Sequence, residues 1–316
     1  MRKKIFLFTF TTTLASLLYI YYFSKIDTKN SSNFHFIEKL KDETYYFPAK
    51  KFTYSKRVYQ PLKQFDLIFA GHDINSKKLS LVHHMSAIIP GKYTHVFAYI
   101  GKDKSGYAYA VEINADKNQT FSLNYKGLNI GGELHLFCLG ADFNDTCPND
   151  TYSYGIKTYD YMWAKRLNPK LKKQLFRYKN ELISVIKQDL TNRYPFKLPF
   201  NFNAETSLSK TLPFIVDTHQ NGSDCVSYFV SLFEKVAKIH FDDITMSSSE
   251  LISYYLYDPI GKEAILPKKY NPITDKDTYI KDLIENLGYT FIDETGKGIA
   301  TPDLLFNSSS LLEISN

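Results

Sequence analysis

The sequence predicts an α+β fold in which an antiparallel sheet packs against helices. Between about residues 64 and 140, short apolar runs alternate with glycine-containing turns, as expected for strands. Later segments repeat their apolar residues every three to four positions, which is the period of an amphipathic helix. The 316 residues are 44% hydrophobic, which suits one large globular domain with a buried core, or at most two.

The first 32 residues form a separate segment. A basic start, MRKK, precedes an uncharged apolar run at 5–23 that is just long enough to cross a bilayer as a helix. The basic end should stay in the cytoplasm, so the remaining chain is expected to be exported. A cleaved signal peptide is the alternative and would give a secreted protein, but no A-x-A-like site follows Ser16. We favour an uncleaved membrane anchor at 1–32, including a polar tether, followed by one domain at 33–316.

Three apolar runs predict neighbouring strands. FDLIFAG at 65–71 ends at a glycine, and THVFAYIG at 94–101 is apolar on both faces, as in an interior strand. GYAYAVEINA at 106–115 follows after a short link with a glycine at each end. The last two runs therefore predict an antiparallel hairpin.

The register of this hairpin brings a histidine and a carboxylate together. If Ile100 pairs with Tyr107, His95 lies directly opposite Glu112 on one face of the sheet. A slip of two residues would leave them diagonal neighbours on that face, whereas a slip of one would separate them. A carboxylate bound to one ring nitrogen leaves the other free for a thiol. The alternative is that His95 is a hydrogen-bonded core histidine.

A cysteine opens the helix predicted from NGSDCVSYFVSLFEKVAK at 221–238. Asp224 and the residues before it supply N-cap chemistry, so Cys225 lies in or beside the first turn. There the helix dipole favours a thiolate, and free backbone N–H groups can receive an oxyanion. The negative charge of Asp224 works against this activation. The alternative is a small buried cysteine at a helix start.

The other two cysteines, Cys138 and Cys147, lie nine positions apart. In an exported domain they could close a small disulfide loop, which would leave Cys225 as the free thiol. The alternative is that both are reduced and merely packed.

A second helix is predicted after residue 168. Asn168 is a suitable cap, and Pro169 suits the first helical position. One apolar stripe then follows, formed by Leu171, Leu175, Tyr178, Leu182, Val185 and Ile186.

Three segments in this order, FDLIFAG, YTHVFAYIG with YAVEI, and GSDCVSYFVSLF, resemble one family. They are similar to the circularly permuted papain-like branch of the NlpC/P60 superfamily, and within it to the YiiX/YebB-like group. In that group the histidine and the acidic residue precede the cysteine. ATPDLLFNSSSLLEI at 300–314 resembles the closing TP-D-L-x-x-S element of the group, and MSSSELISYYLYDPI at 246–260 is a second candidate. The resemblance covers about 60–260, or extends to 316 if the closing element at 300–314 is included, with a helical insertion at about 150–220.

The chain departs from the family pattern at several positions. Phe65 stands where a glycine usually precedes the opening aspartate, and Pro195 replaces an aspartate that commonly follows a tyrosine. Many members also carry Cys-Ser-Glu at the nucleophile, whereas Val226 follows the cysteine here. These departures concern the substrate pocket more than the nucleophile.

Three further residues are candidates for the substrate side of the site. His72 follows the first predicted strand and could line the cleft, or lie in an exposed loop. Tyr194 opens YPFKLPF, which resembles a Y-x-x-x-x-x-F element of the family, and Asp224 directly precedes the cysteine.

Other classes of partner are disfavoured. The net charge is +6, of which the first four residues supply three charges, and no basic cluster is interleaved with aromatics as nucleic-acid binding would require. His72, His83 and His84 could be grouped with His95 as a metal site, but adjacent histidines diverge in regular structure. No H-x-x-x-H or C-x-x-C spacing supports such a site. We expect no nucleic acid, metal or cofactor.

The resemblance implies a cysteine amidase or peptidase that acts on peptide or acyl-amide substrates, with cell-wall peptides as one candidate. Cys225 would be the nucleophile, His95 the base and then the acid, and Glu112 the residue that orients the ring. Lipid acyltransferases and thioesterases belong to the same family, so a lipid ester substrate is the alternative. An anchored, inactive binding protein on this scaffold is a further alternative.

Overall fold

The computed structural model describes part of the chain. The described residues are 33–51, 56–71, 91–115, 122–124, 127–129, 132–143, 147, 159–192, 194, 201–204, 224–242, 244–246, 289–292 and 299–314. The predicted anchor at 1–32 lies outside them. Within them, no helix combines the length and the apolar character needed to cross a membrane.

The fold is α+β and is built around a six-stranded sheet. Its strands are β3 (Leu67–Gly71), β4 (His95–Lys102), β5 (Ala108–Ala115), β8 (Gly132–Gly140), β9 (Tyr161–Leu167) and β14 (Leu311–Glu313). They lie in the order β14-β9-β3-β4-β5-β8, and each neighbouring pair is antiparallel. The three apolar runs therefore form adjacent strands β3, β4 and β5, and the predicted hairpin is confirmed.

Shorter strands form two-stranded antiparallel sheets. The pairs are β1 (Tyr45–Ala49) with β2 (Val58–Leu62), β6 (Ser122–Asn124) with β7 (Gly127–Asn129), β10 (Asn201–Ala204) with β12 (Tyr289–Ile292), and β11 (Thr245–Met246) with β13 (Ile299–Ala300).

Four α-helices and one 3₁₀ helix are described. They are the 3₁₀ helix Asn33–Lys39, α1 (Pro169–Arg177), α2 (Lys179–Thr191), α3 (Cys225–Ala237) and α4 (Pro302–Asn307). Asn168 caps α1 as predicted, because its side-chain oxygen accepts from the Leu171 N–H at 3.0 Å. The prediction that one continuous helix follows Asn168 is wrong. At Tyr178 the backbone leaves helical geometry and its N–H bonds to Leu175 O, so one helix ends there and α2 begins at the next residue.

The stretch at 150–220 is more than a helical insertion. It contributes β9, which lies between β3 and β14 inside the sheet. The closing element near the C-terminus likewise contributes α4 and β14, so the sheet is completed by the end of the chain.

Both faces of the sheet are buried. On one face, side chains such as Val96 and Val111 pack against Phe229 and Phe233 of α3. On the other face, the β1–β2 hairpin covers a second cluster that includes Phe97. All eight residues of β4 are therefore buried, as its continuous apolar run predicts.

The opening aspartate ties the sheet to a helix. Asp66, fully buried just before β3, binds Arg166 of β9 at 2.7 Å and Lys172 of α1 at 3.0 Å. Phe65 adopts a left-handed backbone with φ of 66°. Its ring is buried and meets Phe233 edge-on, with the ring centroids 6.4 Å apart. The position thus keeps a glycine-like backbone while it contributes an aromatic ring to the core.

Cys138 of β8 and Cys147 form a disulfide in this structure. Their Sγ atoms are 2.17 Å apart, and Cys225 is the free cysteine. The half of the bridge on β8 is buried among core residues, with Cys138 only 2% exposed.

Candidate active site

The N-terminus of α3 fixes the position of the free thiol. Asp224 is the N-cap, and its carboxylate accepts from the N–H groups of Val226 at 2.8 Å and Ser227 at 3.0 Å. Cys225 is therefore the first helical residue, as predicted, and is only 6% exposed. Because the cap occupies the next two N–H groups, the backbone N–H of Cys225 itself is the helix donor nearest the sulfur.

His95 is the first residue of β4 and lies at one end of the sheet. It pairs with Ala70 of β3, and the preceding residue, Thr94, donates its N–H to Ala70 O at 3.0 Å. The His95 side chain is buried. Since α3 packs over β4 and β5, its first residue and the first residue of β4 meet at this end of the sheet.

Glu112 is bound to His95. The Glu112 Oε2 and His95 Nε2 atoms are 2.7 Å apart, and Glu112 is only 1% exposed. A buried contact of this length between a carboxylate and an imidazole is a charge-assisted hydrogen bond when the ring is protonated. It assigns Nε2 to the carboxylate and leaves Nδ1 for the thiol.

The predicted register of the hairpin is wrong by two residues. Ala98 pairs with Val111, so Glu112 follows opposite Phe97 rather than opposite His95. Because an even shift keeps side chains on the same face, the two residues are diagonal neighbours and still reach each other.

The turn between the strands causes this shift. The backbone N–H of Asp103 donates to Tyr107 O at 2.9 Å, and this bond closes the turn further along the chain than the glycines suggest. A bulge between Tyr99 and Gly101 recovers one position, so the displacement at the site is even.

The environment of His95 favours its charged form. Burial alone lowers the pKa of His95, but attraction and a hydrogen bond to the Cys225 side chain, together with those to Glu112, raise it to about 10. At neutral pH the ring is therefore an imidazolium held between the carboxylate and the sulfur. This arrangement can supply a nucleophile, a proton donor and a group that orients the ring.

Two residues that the sequence analysis missed adjoin the pair. The ring of Tyr159 stacks on the His95 ring, with centroids 5.7 Å apart and an interplanar angle of 11°. His135 of β8 pairs directly with Glu112. Extending the strand register to GELHLF would have found His135, whereas Tyr159 precedes β9 and no local pattern places it beside β4.

Tyr194 lies beside the start of α3. Its ring meets that of Tyr228 at 5.4 Å, and its backbone joins α2 to β8 by accepting from Leu134 N and donating to Asp189 O, both at 2.8 Å. Burial raises the pKa of Tyr194, and the nearby charges of Asp189 and Asp224 raise it further.

Asp224 and His72 are the other two candidates for the substrate side of the site. The Asp224 carboxylate, buried with its pKa raised by that burial, is occupied in capping α3. His72 lies outside the described residues, as do His83 and His84. Among the residues that are described, no three or more His, Cys, Asp or Glu side chains are arranged to hold a metal ion.

Comparison with known proteins finds no match to a family model, a curated protein or a solved structure.

Proposed function

We propose that this protein is a cysteine hydrolase that cleaves amide bonds in peptide or acyl-amide substrates. One observation carries the proposal. The buried His95 ring is 2.7 Å from the Glu112 carboxylate and interacts with the free thiol of Cys225, at a helix start. A nucleophile, a base and an orienting acid in contact are the minimal parts of a catalytic triad.

The chemistry follows from the proton on His95. The Cys225 sulfur attacks the carbonyl carbon, and the C–N bond then breaks as His95 gives its proton to the leaving amine. Water next attacks the thioester, with His95 taking its proton, and the C–S bond breaks to release the carboxylic acid. Glu112 keeps the ring oriented and stabilises the imidazolium that precedes the first proton transfer and follows the second. The Cys225 N–H is placed to serve as one donor to the oxyanion.

The fold that we propose is the circularly permuted papain-like one. Its support is the antiparallel sheet, the order of His95, Glu112 and Cys225 along the chain, and the cysteine at a helix start. Residues 1–32 would anchor the domain on the exported side of the membrane, within reach of cell-wall peptides. That substrate class comes from the sequence resemblance.

Thiol trapping of the full-length protein tests the catalytic pair. We expect iodoacetamide to alkylate Cys225 first near neutral pH, as mapped by mass spectrometry, and H95A to slow this reaction at least tenfold. H240A is the matched control, because His240 also contacts a carboxylate, Glu234 at 3.2 Å, but is exposed at the surface. Equal alkylation rates of Cys225 in H95A and in the parent protein would show that His95 and Cys225 do not form a catalytic pair.

A substrate panel then separates the classes of activity. The parent protein and C225A are compared on peptide amides, acyl amides and acyl esters. Turnover of the amides that C225A abolishes supports the hydrolase. Turnover restricted to esters would indicate a lipid-directed enzyme, and a reactive thiol without turnover of any class would indicate a binding protein.

A further inference from the structure

The short segment that leads into β4 is held by the C-terminal helix. The Asp303 Oδ1 atom of α4 accepts from the backbone N–H groups of Lys92 at 3.0 Å and Tyr93 at 3.3 Å. These residues precede His95 by three and two positions. A side chain 210 residues away in sequence thus binds the backbone immediately before the proposed base.

This contact is close on both sides. Gly91 has φ of 103°, and a Cβ atom added there would lie 2.2 Å from the Asp303 Cβ, so only glycine fits. The Tyr93 ring stacks on Phe306 of α4, with centroids 4.2 Å apart. The segment therefore has little freedom to shift relative to α4.

The helix α4 is itself fixed to the rest of the fold. Lys165 of β9 donates its Nζ to Phe306 O at 2.7 Å, and Thr301 caps the helix by accepting from Leu304 N at 3.2 Å. The same helix contacts α3, which carries Cys225. A single rigid element thus touches both the helix of the sulfur and the segment that places the imidazole.

We propose that Asp303 is a positioning residue that sets the place of His95 relative to Cys225. The proposal rests on the proposed function, because it concerns the same pair. Its physical basis is that catalytic groups act only within a narrow range of geometry, so a displacement of about 1 Å costs roughly a hundredfold in rate. Without the carboxylate, the backbone N–H groups of Lys92 and Tyr93 lose this acceptor. The segment that leads into β4 can then shift, and His95 shifts with it.

The chain offers a matched control at the other end of the same strand. Asp103 also accepts from two backbone N–H groups, those of Ser105 and Tyr107, but it lies just after Lys102, where β4 ends. D103A and D303A therefore each remove a carboxylate that accepts from two backbone N–H groups, at opposite ends of β4, and D103A also removes the acceptor of the Tyr109 hydroxyl. D303N retains a side-chain oxygen that can accept from Lys92 and Tyr93.

The test compares these variants of the full-length protein by iodoacetamide labelling of Cys225 across pH and by urea unfolding. We expect D303A to slow labelling at pH 7 about tenfold or more, D303N to restore most of the rate, and D103A to stay within about twofold of the parent. D303A labelled as fast as the parent, or slowed only as much as D103A at equal stability, would overturn the proposal.

A second readout keeps this result separate from the proposed function. The imidazole ¹⁵N resonances of His95, assigned by their loss in H95A, report on its environment whether or not Cys225 reacts. D303A should shift these resonances and D103A should leave them in place. Slow labelling of Cys225 in the parent would count against the hydrolase, whereas unshifted resonances in D303A would count against Asp303 alone.

Discussion

Glu112 holds the Nε2 atom of His95 at 2.7 Å although the two residues stand on different rungs of the β4–β5 pair. Diagonal neighbours on a sheet face are about 7–8 Å apart at the backbone, so the contact requires a long side chain on the acidic residue. Both the charge and the length of Glu112 should therefore matter.

Replacing the charge tests the first of these properties. E112Q keeps the length and can accept a hydrogen bond, but it loses the charge that stabilises the imidazolium. We expect activity to fall by roughly one to four orders of magnitude with little change in folding. In a C225A background the same substitution should add almost nothing, since members of one catalytic unit are not additive.

The length of Glu112 is tested by E112D. This variant keeps the charge but is one methylene shorter, so it should lose the diagonal contact and lower the rate of Cys225 alkylation. A rate equal to that of the parent would indicate that the carboxylate acts only through its field and not through the hydrogen bond. The second-order rate constant at several pH values separates these cases.

His95 should also make the stability depend on pH. Its pKa rises from 6.5 to about 10 on folding, so the folded state holds the proton more tightly. The resulting stabilisation is fully present below about pH 6.5 and is lost as the pH rises through about 10. Free energies of unfolding in urea between pH 6 and 10 should fall for the parent and fall less for H95Q. The exposed-histidine variant H240A should follow the parent, and identical slopes for parent and H95Q would contradict the raised pKa.

Phe65 provides a test of backbone strain. A non-glycine residue in the left-handed region costs about 1–2 kcal/mol, which glycine avoids. F65A and F65G should each lose about 3–5 kcal/mol with the buried ring, but F65G should be the more stable of the two by about 1 kcal/mol. Phe69, buried in β3 without such a backbone, is the control. There F69A should be more stable than F69G, and the same order at both positions would refute the strain at Phe65.

The disulfide should contribute to stability without affecting the thiol. C147S opens a bridge that spans nine positions, for which loop-closure entropy predicts a loss of about 2–3 kcal/mol. Thermal unfolding of the parent protein with and without reductant measures the contribution of the disulfide to stability. Cys225 labelling in C147S should match the parent, and equal stability of the oxidised and reduced proteins would mean that the two sulfurs are only packed.

Local chemistry explains which elements could be predicted. Asn168 and Asp224 cap their helices as expected, because capping depends on a few neighbouring residues. The apolar run of β4 likewise identifies an interior strand. The register was missed because it depends on the backbone turn at 103–107 and on a bulge rather than on the hydrophobic pattern.

Contacts between distant segments could not be predicted from local pattern. Tyr159 reaches His95 because the strand that follows it, β9, pairs with β3, the neighbour of β4. Asp303 reaches Lys92 across 211 positions, and only the folded sheet brings the two together. Neither Tyr159 nor Asp303 carries a local sequence signal that indicates these contacts.

The contact between α4 and the segment that leads into β4 forms late in folding, because its two partners are far apart in sequence. A chain made from its N-terminus presents His95 and Cys225 long before Asp303 emerges, and β14 can join the sheet edge only afterwards. Long-range pairings of this kind form late, because the loop between the partners must be closed first. If Asp303 positions His95 as proposed, the imidazole and the sulfur acquire their final geometry only after residues 302–313 have been made, and a nascent chain that lacks them carries both groups without their alignment.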